Sequence, residues 1–194
     1  MSRETRQMRT ASTEFKTRDD NGALAIEGYF AVFDSIYEIA QGMSESIAQG
    51  AFDNTISDDI RALINHDTTL VLGRTKAGTL QLRTDSHGLW GHIDINPNDT
   101  DAMNLYNRVQ RGDVDQCSFG FDIINEETDF REDGSVHWTI KEVKLWEVSP
   151  CTFPAYEETN IAARAKERTE LIKRKNDAWK EKMFKNLKGE NSNA

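Results

Sequence analysis

The sequence predicts a mainly β domain that carries a few helices, an α+β fold. Most of the chain between about residues 24 and 150 alternates apolar and polar positions with period two, which is typical of half-buried strands. Within this region, residues 102–109 instead repeat with the period of a helix. From about residue 161 the chain becomes charged and lysine-rich, which favours a helical tail.

Length and composition limit the class of protein. The 194 residues suit one domain of ordinary size with tails, and 37% hydrophobic residues suffice for one core. No apolar run approaches the roughly 20 residues that cross a bilayer, and the first residues lack the apolar stretch of a secretory signal. We therefore expect a cytoplasmic protein without a membrane partner. Two cysteines without close spacing predict neither a disulfide framework nor a zinc site.

Charge is distributed unevenly along the chain. The net charge is −9, yet residues 164–194 contain ten Lys or Arg against five Asp or Glu, so the preceding part is strongly acidic. An acidic body argues against nucleic acid as a partner. We interpret the basic tail as a solvated helix face, with an acidic partner as the alternative. Its apolar positions, which include Trp179, Met183 and Phe184, predict docking on a partner or on the chain's own body.

Strands account for most of the predicted elements before and after the helix. Residues 1–20 are polar and predict a flexible leader. Alternation predicts a strand at 24–32 and another at 60–66, and a hairpin at 79–83 and 89–95. Between the first two strands, a loop with a brief helical turn is expected.

One helix is predicted in the body of the chain. Its apolar positions are Ala102, Leu105, Tyr106 and Val109, spaced i, i+3, i+4, i+7. Asn98 with Asp101 predicts the N-terminal cap, and Gly112 predicts the end.

The strand that follows the helix contains an unusual serine. Its apolar face carries Cys117, Phe119, Phe121 and Ile123, and its other face carries Ser118, Gly120 and Asp122. Strands favour branched and aromatic residues, so a serine beside a glycine needs an explanation. It is either a satisfied structural serine or a nucleophile with room in front of it.

Two other strands carry ionisable groups at positions where apolar residues are expected. His66 continues the apolar parity of Ala62 and Ile64, and Glu147 shares the parity of Val143 and Leu145. A buried ionisable group must be paired, since an isolated charge costs several kcal/mol.

Ser118, His66 and Glu147 could satisfy one another in a catalytic triad. In such a set the histidine takes the hydroxyl proton, and the carboxylate orients the histidine. Cys117 is a rival nucleophile, although its parity places it in the core. Rival third members are Asp67, Glu142 and three histidines near exposed positions, His87, His92 and His137.

Several segments resemble the prohead (capsid-maturation) serine proteases of tailed bacteriophages. The similar blocks, in order, are Glu27–Phe33 (EGYFAVF), Gly50–Phe52 (GAF), Ala62–Asp67 (ALINHD) with Leu72–Arg74 (LGR), Gly112–Phe121 (GDVDQCSFGF) and Trp146–Ala155 (WEVSPCTFPA). Each block alone is weak, but their occurrence in order from about residue 24 to 160 is specific.

This resemblance implies a fold and a set of site residues. The family is thought to share the fold of the herpesvirus assemblin proteases, a closed, mostly antiparallel β-barrel surrounded by a few helices. We therefore expect a leader at 1–20, a protease domain at 21–160 and a basic helical tail at 161–194. The nucleophile falls on Ser118, the histidine on His66 and the third member on Glu147, where the herpesvirus relatives have a second histidine.

The sequence offers more than one candidate for the oxyanion hole. Backbone N–H groups of Phe119 and Gly120 are candidates because of their position beside Ser118. The herpesvirus relatives are thought to use arginines after the third triad member, and residues 148–154 contain none. Arg74 is an alternative donor.

The resemblance also implies a function. It predicts a serine endopeptidase inside the assembling procapsid, in the host cytoplasm, that cleaves the scaffolding segment of the major capsid protein and also itself. A homodimer is a further expectation by analogy, and no cofactor or metal is expected. The competing hypothesis is a catalytically silent assembly or scaffolding protein on the same barrel. A metal site of His66, Asp67 and a cysteine is a distant third.

Overall fold

Two β-sheets and two α-helices make up the fold in the computed structural model, which describes residues 7–12, 15–20, 23–153 and 158–187. The strands are β1 (Gln7–Ser12), β2 (Lys16–Asp20), β3 (Ala23–Val32), β4 (Tyr37–Ala40), β5 (Met43–Ile47), β6 (Arg61–Ile64), β7 (Asp67–Arg74), β8 (Leu80–Thr84), β9 (Gly88–Ile95), β10 (Gln116–Phe130) and β11 (Val136–Cys151). The helices are α1 (Thr100–Arg111) and α2 (Glu158–Leu187), and a 3-10 turn spans Thr75–Ala77. The prediction of a mainly β chain with helices is confirmed.

The larger sheet has seven strands. Its main path is β1-β10-β11-β5-β4, and β6 pairs with both β11 and β7. Most pairs are antiparallel, but β11 runs parallel to β5 and to β6. The smaller sheet has the antiparallel order β2-β3-β9-β8.

The predicted closed barrel is wrong, because both sheets are open. In the described part of the chain, β1 and β4 end the path of the larger sheet, β2 and β8 end the smaller one, and no ladder joins the two. The two parallel pairs also differ from the antiparallel arrangement that was expected. Barrel closure depends on the tilt and stagger of strands far apart in the chain, which alternation within single strands does not encode.

Both sheets and helix α1 bury one common hydrophobic core. Its largest fully buried members include Phe30, Phe52, Phe119, Phe121, Ile26, Ile93 and Leu145. Burial of each side chain of this size contributes about 1.5–3 kcal/mol to stability. Phe119 and Phe121 come from β10, so the apolar face of this strand is a major part of the core.

Helix α1 forms as predicted, with one difference at its cap. Asp99 rather than Asn98 caps it, since its Oδ1 accepts hydrogen bonds from the N–H groups of Asp101 and Ala102. Gly112 ends the helix in a left-handed conformation with a φ of 84°.

Two strands lie within the range that was expected to be a flexible leader. β1 pairs antiparallel with β10, and β2 pairs antiparallel with β3. Every residue of β2 except Thr17 is exposed, so the apolar alternation that identifies a strand is missing from it. The division of the chain into a leader, a domain and a tail stays a prediction.

Helix α2 docks on the larger sheet through a buried charge cluster. Arg164 is fully buried, lies 4.4 Å from the ring centre of Trp138, and forms ion pairs with Glu45 and Glu126. Arg9 of β1 also binds Glu45, at both of its carboxylate oxygens. The beginning of the tail is therefore anchored to the body.

The far end of α2 is exposed. Trp179, Met183 and Phe184 remain accessible at 60%, 44% and 62%. Their predicted docking on a partner stays a prediction, and in the structure they do not dock on the body. Among the described residues, no helix has both the length and the apolar character that crossing a membrane requires.

Candidate active site

Two of the three predicted catalytic residues lie on neighbouring strands of the larger sheet, and the third lies in the turn after the strand beside them. Ser118 on β10 lies opposite Ser149 on β11, and Gly120 lies opposite Glu147. Directly opposed residues of an antiparallel pair project to the same face. Ser118 and Glu147 therefore share one face, and His66 follows the end of β6, which pairs with β11 at Glu147.

A β-bulge decides where Glu147 points. The register advances from Gly120 opposite Glu147 to Phe121 opposite Leu145, which leaves Trp146 as the extra residue of β11. The parity that grouped Glu147 with Leu145 is therefore wrong. Leu145 packs in the core, while the bulge turns Glu147 to the face of Ser118.

A tight turn after β6 presents His66. Asn65 and His66 both have left-handed backbones, with φ values of 49° and 63°. This conformation costs most residues about 1–2 kcal/mol, and asparagine tolerates it better than most. Two bonds to the end of β11 and the residue after it hold the turn, since Asn65 N–H donates to the carbonyl of Pro150 and Thr152 N–H donates to Asn65 Oδ1.

His66 and Glu147 form a short hydrogen bond. His66 Nδ1 lies 2.7 Å from Glu147 Oε1, and the two side chains are only 12% and 3% exposed. Glu147 Oε2 accepts a second bond, of 2.6 Å, from the hydroxyl of Ser149. If the carboxylate is ionised it accepts at both oxygens, and Nδ1 then donates to it; in the neutral imidazole this leaves Nε2 with a lone pair. This is the tautomer that a general base requires.

The hydroxyl of Ser118 is not bonded to His66 in this structure. Within the described residues, Ser118 Oγ and His66 Nε2 are both buried, and neither has a hydrogen-bond partner. Buried polar atoms without partners are uncommon and carry a free-energy cost. The structure thus joins His66 to Glu147, but it leaves Ser118 Oγ and His66 Nε2 without hydrogen bonds.

Phe119 and Gly120 lie in the middle of a paired strand. Phe119 is opposite Arg9 of β1 and Val148 of β11, and Gly120 is opposite Met8 and Glu147. The backbone of a strand with neighbours on both sides is used in ladder bonds. Their assignment to the oxyanion hole stays a prediction, and the pairing with β1 competes with it.

Arg74, the alternative oxyanion donor, is held by Asp59. Its Nε and Nη2 atoms each lie 2.6 Å from an oxygen of that carboxylate. The hydrogen bond from Arg74 lowers the pKa of Asp59 to about 2. The guanidinium is therefore committed to a bidentate ion pair at neutral pH.

Both cysteines are unlike activated nucleophiles. Cys117 is fully buried in the core, and its thiol donates to the carbonyl of Tyr29 at 3.1 Å. Burial raises the pKa of the Cys151 thiol to about 12. A reactive cysteine needs a lowered pKa and access to solvent, and neither residue combines them.

The rival third members have other partners. Asp67 accepts from Thr69, and Glu142 accepts from Asn54. His92 lies between Glu27 and Asp94, His137 lies between Ser44 and Ser46, and His87 stacks edge-on with Tyr29. Across the described residues, no group of three or more His, Cys, Asp or Glu is arranged to hold a metal ion.

Two residues of the site were missed by the sequence analysis. Ser149 was available from the pattern, because it is two residues from Glu147 and so shares its face. Asn65 precedes His66 and favours the left-handed turn, which was also readable from its residue type.

Comparison with known proteins identifies one family. Residues 11–174 match the family model described as caudovirus prohead serine protease. The prohead protease of Enterobacteria phage HK97 is 30% identical over 155 residues, which cover 78% of this chain and 64% of that protein's length. A solved structure of the bacteriophage T4 capsid assembly protease matches with a TM-score of 0.50 at 10% identity, covering 75% of this chain and 96% of that one. At that identity the structural match supports the fold alone.

Proposed function

The chain belongs to the caudovirus prohead serine protease family, and from this premise we propose that it is a serine endopeptidase of procapsid maturation. The observation that carries the proposal is the 2.7 Å bond between His66 and the buried Glu147, on the same sheet face as Ser118. His66 Nε2 has no partner among the described residues, and in the neutral imidazole with its proton on Nδ1 it has a lone pair. An imidazole in this state is ready to accept the proton of a serine hydroxyl.

In the proposed mechanism, Ser118 attacks the carbonyl carbon of the scissile peptide. Its hydroxyl proton moves to His66 Nε2 as the new C–O bond forms. The positive imidazolium is stabilised by the carboxylate of Glu147, which also keeps Nδ1 protonated. His66 then gives the proton to the amine nitrogen as the C–N bond breaks. A water molecule next attacks the acyl carbon while His66 takes its proton, and His66 returns this proton to Ser118 as the bond from the acyl carbon to the serine oxygen breaks.

Ser118 is fully buried, so this arrangement is a closed one. β1 covers one edge of its strand, with Thr10 opposite Ser118, and β11 covers the other. A peptide reaches the hydroxyl only after a neighbouring segment moves. The proposed mechanism also requires Ser118 Oγ and His66 Nε2 to come within hydrogen-bond distance. Apo sites often tighten in this way when substrate binds.

The proposed substrates are proteins of capsid assembly. The relatives are named prohead protease and capsid assembly protease, and we extend this to cleavage of the scaffolding segment of the major capsid protein and to self-processing. The place of action is then the interior of the procapsid in the host cytoplasm. Homodimerisation is part of the same proposal and rests on analogy.

A catalytically silent assembly protein is the second candidate. Two observations favour it: Ser118 is buried, and it lacks a hydrogen bond to His66. This second hypothesis does not explain why a histidine and a glutamate are paired beside a serine. Burial of ionisable groups costs free energy, and a silent protein would have no use for the pair.

The deciding experiment is co-expression of this chain with its capsid protein. We expect wild type to shorten the capsid protein and Ser118→Ala to leave it intact. Ser44→Ala is the control, because it removes another buried hydroxyl of the same sheet, one bonded to His137 rather than to His66. Equal shortening by wild type and Ser118→Ala would reject Ser118 as the nucleophile. No shortening by either protein would favour the silent assembly role.

The third member is tested separately. Glu147→Gln should reduce kcat by about 10,000-fold, because the amide no longer enforces the required tautomer of His66. A loss far smaller than that of His66→Ala would demote Glu147 to a structural group. Self-processing is tested by the N-terminal sequences of wild type and Ser118→Ala recovered from particles, which should differ.

A further inference from the structure

Ser149 is the residue that contacts both members of the histidine–glutamate pair. Its hydroxyl donates to Glu147 Oε2 at 2.6 Å and accepts from the backbone N–H of His66 at 3.3 Å. It is fully buried and lies directly opposite Ser118 across the ladder. The hydroxyl of Ser149 is therefore bonded to two of the proposed catalytic residues, and Ser149 lies opposite the third.

The hydrogen-bond inventory of Ser149 separates its role from that of Ser118. A serine hydroxyl has one proton to donate, and the proton of Ser149 is used by Glu147. Because it is held by the carboxylate and not by His66 Nε2, Ser149 is not set up for activation by the base. Ser118 has no such commitment among the described residues.

We propose that Ser149 is a positioning residue that fixes the orientation of His66 through both of its anchors. This inference rests on the proposed function. By holding Oε2, the hydroxyl sets the rotation of the Glu147 carboxylate and so directs Oε1 to His66 Nδ1. By accepting the N–H of His66, it also secures the left-handed turn from which the imidazole projects. Both contacts determine where Nε2 points.

The structure of the turn explains why such an anchor is needed. Asn65 and His66 are consecutive residues with positive φ, a conformation that persists only when its surroundings enforce it. The bonds to Pro150 and Thr152 act on Asn65, one at its N–H and one at its side chain. Ser149 supplies the bond that acts on His66 itself.

The test measures kcat and KM for steady-state cleavage of the capsid protein. The substrate is the uncleaved capsid protein from co-expression with Ser118→Ala. Ser149→Ala should lower kcat by about 10- to 100-fold, the loss expected for a hydrogen bond to a charged group. KM should change little, since Ser149 is buried and is not proposed to bind substrate. Ser149→Thr keeps the hydroxyl and should recover most of the activity. A wild-type kcat in Ser149→Ala would overturn the proposal.

A matched control separates positioning from general support of the sheet. Ser46→Ala also removes a buried hydroxyl that bonds to a histidine, His137, at 2.9 Å. It should leave kcat unchanged. If Ser46→Ala lowers kcat as much as Ser149→Ala, the effect is structural and the proposal fails.

A spectroscopic measurement keeps the inference independent of activity. In the Ser118→Ala background, the Nδ1 proton of His66 should give a hydrogen-bonded NMR resonance that is absent in His66→Ala. Ser149→Ala should shift or broaden this resonance, whereas Ser46→Ala should not. If Ser149→Ala does not fold, Ser149→Cys replaces it, with a weaker donor of similar shape. An unchanged resonance would refute the positioning role even if Ser118 proves to be the nucleophile.

Discussion

Leu145 and Glu147 are two residues apart on β11, yet they project from opposite faces of the sheet. Leu145 faces Phe121 in the core, and Glu147 faces Gly120 beside Ser118. The extra residue between them, Trp146, accounts for the change. The position of the carboxylate in the site thus depends on a bulge.

Trp146 should be important for activity because it anchors this bulge. Its indole N–H donates to Asp122 at 2.8 Å, and Lys144 lies 4.2 Å from its ring centre. We expect Trp146→Ala to lower stability by roughly 1–3 kcal/mol and kcat by at least tenfold. Urea unfolding and cleavage assays measure the two effects.

Trp90→Ala is the control for this substitution. Trp90 is also half-buried and has a cation, Arg83, 4.3 Å from its ring centre, but it lies in the smaller sheet. It should cost similar stability with little loss of kcat. Equal losses of kcat in both variants would mean that the bulge has no special role.

Asn65 should stabilise the turn by its conformational tolerance and by its side chain. Asn65→Ala places an ordinary residue at a φ of 49° and removes the acceptor of Thr152 N–H. We expect a loss of about 1–2 kcal/mol from the backbone conformation alone. Asn65→Gly loses only the side-chain bond and should be the more stable of the two in urea. The reverse order would contradict the strained turn.

Glu45 should be the most sensitive position of the charge cluster. It is 2% exposed and lies between Arg9 of β1 and Arg164 of α2. Glu45→Gln leaves buried guanidinium groups poorly compensated, so we expect a loss of about 3–5 kcal/mol. Hydrogen exchange should also increase at the start of α2.

The control for Glu45 is a surface ion pair. Glu127 lies 3.3 Å from Lys141 and is 72% exposed. Glu127→Gln should change stability by less than about 0.5 kcal/mol, since solvent screens such pairs. If Glu45→Gln were equally mild, the cluster would not anchor the helix.

Two histidines should give opposite pH dependences of stability. Burial lowers the pKa of His92, but its bonds to Glu27 and Asp94 outweigh this, and the net pKa is raised. Its contribution to stability is complete below pH 6.5 and is lost as the pH rises through the folded-state pKa.

Burial and the nearby Arg131 lower the pKa of His137, against smaller opposing effects of Asp129 and Glu38. Its contribution is present above pH 6.5 and is lost as the pH falls.

Urea unfolding of His92→Gln and His137→Gln between pH 5 and 8 measures these contributions. The stability difference from wild type should shrink towards high pH for His92→Gln and towards low pH for His137→Gln. Differences that change in the same direction for both would contradict the assigned environments.

The sequence was sufficient for much of the secondary structure and for the family. Helix α1 and the strand that carries Ser118 follow from local periodicity. The resemblance to tailed-phage prohead serine proteases is confirmed by the family match. The catalytic roles of Ser118, His66 and Glu147 stay predictions, although His66 and Glu147 are bonded.

The sequence by itself determined helix α1, the strand that carries Ser118 and which residue types could form the site, but it missed strands β1, β2, β4 and β5. Those properties depend on neighbours two to four positions apart, which the sequence records directly. Only the tertiary structure decided that the sheets stay open, that Trp146 forms a bulge, and that Ser149 joins His66 to Glu147. These features depend on the register between strands far apart in the chain, and one extra residue in a ladder reverses the face of everything that follows it.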